Sequence, residues 1–246
     1  MQSIPQFRHT LVAALLGAAG FMLAGSCAAA QAPLAPPIQQ LSPQRALSEA
    51  LAVARSDFAQ FSAHQLQTRN GAPPDFPLDI SDLQDLKDAV VNYGFTLYTI
   101  DPSELLAGRS SMQRMAKPNE QWRFVITLHE RPIGMATVER HNGRMETVAY
   151  GASVLAKDVD ALARFHGNAD KSNLRMVRIY QARSDLLEVV SVDGQARFAP
   201  LHSARESLLL QQRATKDGAR DNGLLDEADL VQPLRAAVKL NMDALR

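Results

Sequence analysis

The segment VAYGASVLA, residues 148–156, holds the arrangement nearest to a reaction centre. An alternating stretch ends at Gly151, Ser153 falls in a turn, and a helical period begins. A strand–turn–helix of this kind lifts a serine hydroxyl clear of the backbone, as a nucleophile elbow requires. Asp185, Asp193 and then His202 follow in the chain, the order serine, acid, histidine in which an acid orients the imidazole that takes the hydroxyl proton. Two features oppose this reading. Leu155 stands where G-x-S-x-G has its second glycine, and no glycine-rich stretch that could build an oxyanion hole precedes it. Ser153 reads more simply as a helix N-cap, its hydroxyl accepting a backbone N–H of the first turn. No catalytic residue is assigned, and Ser153 and His202 are the two side chains to locate in the fold.

Other reactive residue types are sparse. The six histidines form neither H-x-H nor H-E-x-x-H, and one cysteine cannot complete a zinc site, so no metal ligand is assigned. His129, on a polar strand face, and His141, beside a turn, read as solvated. DGARDNGLLDEAD (217–229) is acidic and glycine-bearing, but an EF-hand register on Gly223 puts Gly218 and Arg220 where acidic ligands belong. Neither G-x-G-x-x-G nor G-x-x-x-x-G-K-[ST] occurs, so no cofactor is implied. Lys171, Arg175, Arg178 and Arg183 give one strand a basic flank, in which Arg178 and Arg183 are expected to offset Asp185 and Glu188.

The lone cysteine, Cys27, lies where an apolar run meets prolines. Arg8 and His9 precede LVAALLGAAGFMLAG, an uncharged run too short to span a hydrocarbon core of ~30 Å. A basic start, short apolar middle and small residues after it make residues 1–32 a secretory signal peptide. Two exits fit. Ala28-Ala29-Ala30 and Ala30-Gln31-Ala32 satisfy the small-x-small rule, whereas Ala24-Gly25-Ser26-Cys27 resembles the lipobox of bacterial lipoproteins, which implies cleavage before Cys27 and diacylation of its thiol. The likeness departs from the family at Ala24, where leucine is preferred; Leu23 lies one place too early. Residues 33–43, PLAPPIQQLSP, are proline-dense and therefore an extended tether.

Such residues need elements to hold them. The chain of 246 residues is 46% hydrophobic and 21% charged, a globular composition. Residues 1–32 contain Arg8 and no acid, leaving 25 basic against 26 acidic side chains, a net charge of −1. That balance argues against nucleic acid, which requires a concentrated basic face. Ser42-Pro43 opens a helix whose stripe runs Leu47, Leu51, Ala54, Phe58, Phe61. Ser81-Asp82-Leu83-Gln84 reads as a capping box for a helix along Leu83, Leu86, Val90 and Tyr93 that stops at Gly94. FTLYTI (95–100) is a strand. In QWRFVITLHE (121–130), Trp122, Phe124, Ile126 and Leu128 alternate with Arg123, Thr127 and His129, the pattern of a half-buried strand. IGMATVER and METVAYG, joined at Asn142-Gly143, complete a three-stranded meander. A helix from Ser153 to His166 buries Leu155, Val159, Leu162 and Phe165. LRMVRIYQA, LLEVVSVDG and, after Asp193-Gly194, ARFAPL are further strands. Ser203-Ala204-Arg205-Glu206 reads as a second capping box, and residues 224–245 as one or two helices interrupted at Pro233.

The fold class expected is α+β: a mainly antiparallel sheet of about six to seven strands, with N- and C-terminal helices packed on one face. The domain spans 44–213, with a C-terminal helical extension over 214–246. Its outline resembles small exported modules such as cystatin-like or PepSY-like domains, and outline does not transmit function. The expected role is an exported, non-enzymatic binding or accessory protein of the periplasm acting through a protein partner, with membrane attachment only through Cys27 and, as a lipoprotein, at the outer membrane. It would bind through a solvent-facing sheet surface or the seam of the first helix. The alternative is a periplasmic hydrolase whose site is assembled from residues distant in sequence.

Overall fold

The computed structural model describes residues 42–68, 71–208 and 223–244. Its first element, α1 (Pro43–Thr68), starts where proline suits the first helical position, and the Ser42 hydroxyl accepts from Arg45 N at 3.4 Å. Ala50, Ala54 and Phe58, four residues apart, are its buried stripe, with Leu47, Leu51 and Phe61 packed around them. The seam of the first helix therefore lies against the protein's own sheet.

The expected helix after Ser81 is a correction. Asp82, not Ser81, caps a single 3-10 turn (Leu83–Lys87), and the chain then enters strand β1 (Ala89–Thr99). Residues 89–99 are rich in β-branched and aromatic types, and cross-strand pairing outweighs the helical spacing of Leu83, Leu86 and Val90. Gly94, read as a helix stop, marks a close approach instead: a Cβ there would lie 2.3 Å from the carbonyl oxygen of Arg123 and from the Phe124 ring. Two short helices missing from the reading above follow, α2 (Pro102–Ala107), capped by Asp101 and ended by left-handed Gly108, and α3 (Met112–Met115).

Strands β2 (Lys117–Leu128), β3 (Arg131–His141) and β4 (Arg144–Gly151) complete an antiparallel meander with β1. The β3–β4 turn has positive φ at both Asn142 and Gly143, as expected of that pair. Helix α4 (Ser153–His166) crosses to β5 (Leu174–Ile179), which lies parallel to β1. A second meander follows, β5 with β6 (Ser184–Val190) and β7 (Ala196–Pro200). The seven strands are ordered β4-β3-β2-β1-β5-β6-β7. The fold is α+β, with a mostly antiparallel mixed sheet and helices at both ends.

Helices cover both faces of the sheet, not one. Leu186 and Leu187 are consecutive, point to opposite faces and are both fully buried, so each face needs a cover. On the first face, α1 lies over Trp122, Phe124, Ile126, Ala136 and Val138. The other half of that face is covered by α6 (Glu227–Asp243), with α2 and α3, over Val177, Ile179, Leu186 and Phe198. On the second face, α4 sets Ala156, Val159 and Ala163 against Phe95, Val125, Met135, Met176 and Leu187. Strand β2 is consequently buried on both sides: Val125 and Thr127, on the side expected to be polar, are 0% and 3% exposed. The α4 stripe is likewise offset from the one expected. The small alanines let the helix lie close to the sheet, while Phe165 is 64% exposed. Helix α6 runs through Pro233 without a break, held by Leu230, Leu234 and Val238, all fully buried. Among the described residues no helix is long and apolar enough to cross a membrane.

Candidate functional site

The residues singled out in the sequence do not converge. Ala152, in a left-handed conformation, is the N-cap residue of α4, so Ser153 lies one position inside the helix and no side chain caps it. The Ser153 hydroxyl has no hydrogen-bond partner among the described residues. His202 opens helix α5 (His202–Ser207), its backbone N donating to Asp158 Oδ2 at 2.7 Å and its exposed imidazole Nε2 lying 3.2 Å from Glu206. Asp193 turns back to accept from Gln195 N in the β6–β7 hairpin. No hydrogen bond connects Ser153, His202 and either aspartate. Among the described residues no group of three or more histidine, cysteine, aspartate or glutamate side chains is placed to hold a metal ion. Cys27, and residues 217–222 of the acidic segment, lie outside the described residues.

Two arginine-centred polar clusters stand out, one on each face. On the first face, Arg175 of β5 and Glu188 of β6 are direct cross-strand partners. Arg175 grips both carboxylate oxygens, with Nε at 2.7 Å from Oε2, and its guanidinium lies over the Tyr98 ring at 4.9 Å. Its Nη2 also reaches the carbonyl of Gln113 in α3 at 3.4 Å. Glu188 is 0% exposed. Burial pushes its carboxyl up and the guanidinium pulls it back only in part; on the arginine, burial is outweighed by the carboxylate, which holds Arg175 above its ordinary value. Of the expected offset of Asp185 and Glu188 by Arg178 and Arg183, the pairing of Arg178 with Asp185 is present, and Glu188 is taken by Arg175. Arg183 sits instead in the left-handed turn before β6, and the ladder register presents Arg175 to the acid.

The second cluster is less completely paired. The second face also carries Arg123 of β2, Arg178 of β5 and Asp185 of β6. Arg123 lies opposite Phe95 on β1 and Thr137 on β3, and Arg178 opposite Asp185. Asp185 is engaged by α5: Ser203 Oγ accepts from its backbone N at 3.0 Å and donates to its Oδ2 at 2.9 Å. Ser203, expected to cap a helix, is therefore a clasp between α5 and β6, and α5 has no side-chain cap. Asp185 Oδ1 lies 3.6 Å from Arg178 Nη1 and has no hydrogen bond. Arg178 rests over the Tyr180 ring at 5.2 Å, and the Tyr180 hydroxyl meets Gln121 and Asn119, each at 3.3 Å. Arg123 Nε is buried without a partner among the described residues. Burial holds that guanidinium below the ordinary arginine value; the charge of Asp185 restores part of the loss and that of Arg178 adds to it.

Such an arrangement can bind an anionic group. A guanidinium taken from water without an acceptor is costly, and a planar acceptor set on it recovers the loss. The sequence held no local signal for this site: in the β2 alternation Arg123 falls on the polar side with Thr127 and His129. Its meeting with Arg178 depends on the parallel β1–β5 pairing, which no local pattern encodes. The chain matches no protein-family model, no curated protein and no solved structure.

Proposed function

We propose that this protein is an exported, non-enzymatic binding protein of the bacterial envelope, tethered through Cys27, that receives a protein partner on the part of its second sheet face that carries Arg123. One observation carries the reading: a buried Arg123 Nε with no acceptor among the described residues, in the field of a second arginine, Arg178. Tyr180, 45% exposed, adds an amphipathic ring of the kind that anchors partners. The leader and the proline-dense spacer support export and tethering. Among the described residues no hydrogen bond joins Ser153 to His202, so that pair lends the hydrolase alternative no support.

A photo-crosslinking amino acid at Gln121, introduced in cells, tests the surface. It should yield one discrete adduct that disappears with Arg123→Met, while the same probe at Val192, a fully exposed turn residue on β6–β7, should yield none. No adduct, or one indifferent to Arg123, counts against the reading. Fractionation beside Cys27→Ser tests the tether: the wild type should sediment with membranes and the variant should not.

A further inference from the structure

A cleft at the short helices α2 and α3 shares no lining residue with either arginine cluster and stands apart from the proposed partner surface. We infer that it binds a terminal phosphate group, held by Arg109, Arg114 and Lys117. The cleft has a volume of about 670 Å³, and these three cations line it together with Ser110, Met115 and one acid, Glu104. All three cations are exposed, so an incoming anion can reach them. Among the described residues neither guanidinium has a hydrogen bond or an ion pair, and Glu104 pairs with no cation. Lys117 Nζ donates to the Arg114 carbonyl at 3.0 Å, which uses one of its three hydrogens. Elsewhere in the chain Arg131, Arg164, Arg175, Arg197 and Arg205 each have a carboxylate within 3.1 Å. Cations of one sign left without acids around a concave wall concentrate anions there.

The backbone around the cleft is fixed without a ligand. Asp101 caps α2 through the N–H groups of Ser103 and Glu104, at 2.7 and 3.2 Å, and Gly108 ends it at a φ of 62°. Arg235 of α6 pins the turn that follows. Its Nε donates to the Leu105 carbonyl at 2.8 Å, and a Cβ on Gly108 would lie 1.7 Å from its Nη2. Leu105, Met112 and Met115 are buried, so the segment bearing Arg109, Ser110 and Arg114 is anchored on both sides. Donors already in place lose less freedom when a ligand arrives. Charge then selects the ligand. Three cations against Glu104 leave two positive charges. A terminal phosphate carries about two negative charges at neutral pH and three acceptor oxygens, which suits two guanidiniums and an ammonium. A carboxylate, with one charge and two oxygens, leaves part of the set unsatisfied.

The test uses the full-length mature protein carrying Cys27→Ser, so that no acyl chain contributes to vesicle binding. Calorimetric titrations with glycerol 3-phosphate, inorganic phosphate and acetate run at one fixed ionic strength. Sedimentation with phosphatidylcholine vesicles, with and without phosphatidic acid, separates a free phosphate monoester from the same group on a lipid. One or both phosphate sources should bind saturably at a single site, and acetate at least tenfold more weakly. Arg109→Gln and Arg114→Gln should each weaken phosphate binding at least fivefold, with thermal midpoints unchanged because both side chains are exposed. Glu104→Gln should tighten it, and Arg144→Gln, an exposed position on β4 outside the cleft, should leave it as it is. Binding of phosphatidic acid vesicles alone, lost in Arg109→Gln, assigns the phosphate to a lipid headgroup. Acetate as tight as phosphate, an equal loss in Arg144→Gln, or no binding that depends on Arg109 in any arm overturns the inference.

Discussion

Arg175 and Arg123 occupy opposite faces of one sheet, both in strands beside β1, and their surroundings are nearly inverse. Arg175 has a carboxylate matched to its fork, an aromatic ring beneath it and a helix segment tied to its far nitrogen. Arg123 has an uncommitted Nε, a neighbouring cation, and an aspartate engaged elsewhere. The same residue type does two jobs. In a low-dielectric setting a guanidinium with its acceptor in place stabilises the strands around it, and one without an acceptor is destabilised until a ligand supplies it. The difference separates a paired from an unpaired guanidinium where composition and charge alone cannot.

The largest effect that probes this contrast is at the closed site. Glu188→Ala should cost about 3 to 5 kcal/mol, because it strands a charged Arg175 in the interior. The double variant Arg175→Met/Glu188→Leu should recover most of that loss, since apolar groups of similar volume replace a buried pair at little net cost. Urea midpoints decide it. A Glu188→Ala protein as stable as wild type would mean that Arg175 reaches water, and the two sites would no longer differ in kind.

Removal of the clasp comes next. Ser203→Ala should cost about 1 to 2 kcal/mol, since Asp185 loses a donor to its carboxylate and an acceptor for its backbone N–H. Ser153→Ala, by contrast, should change stability by less than about 0.5 kcal/mol, because Ser153 caps nothing. If Ser153→Ala proves the more damaging, the N-terminus of α4 is not as described and the clasp is not the element that fixes Asp185.

Tyr93 supplies a smaller effect with a definite sign. Its hydroxyl donates to Asp160 Oδ1 at 2.8 Å, and Arg164 Nε holds the other oxygen at 2.7 Å, a closed network like that of Arg175. Burial first, and then the bond to Asp160, push the Tyr93 phenol up; burial raises Tyr150 to about 12. An acid whose folded value exceeds its unfolded value is protonated longer in the fold. Above the unfolded tyrosine value of about 10, the unfolded chain therefore releases protons first and stability falls as pH rises. Urea midpoints should drop between pH 9.5 and 11.5, with a shallower slope in Tyr93→Phe. A midpoint flat across that range would mean that the network is open to solvent.

How much of this was legible in the chain depends on range. The α+β class, the Asn142-Gly143 hairpin and the Ser42-Pro43 helix start are local, written in turn chemistry and periodicity within a few residues. The helix expected over 83–94 failed because its spacing competes with β-branched residues whose partner strand lies some thirty positions later. Ser153 and Ser203 both carried cap signatures, and both cap positions fell to a preceding residue, Ala152 and Leu201. Hydroxyl signatures name a helix end to within a residue or two, and one residue decides whether a serine caps, clasps or does neither. The second cluster was the least legible part. Arg123, Arg178 and Asp185 come from three strands, whose order in the sheet depends on the α4 crossover from β4 to β5.

The smallest expected effect is the most telling. Arg123→Met keeps the apolar stem of the side chain, which packs between strands, and removes only the guanidinium. At the closed site such a loss strands a partner; here Nε has no hydrogen-bonded acceptor among the described residues to leave behind. The variant also relieves the repulsion from Arg178 and the burial of an uncompensated charge, both of which weaken the guanidinium in the fold. Stability should therefore be unchanged or rise by up to about 1 kcal/mol, read as an unaltered or higher urea midpoint, while binding at the second face is lost. Stability gained where function is lost is the mark of a residue kept for its ligand. A fall of more than about 2 kcal/mol would place a counter-ion on Arg123 in the free protein, and would make both arginines structural.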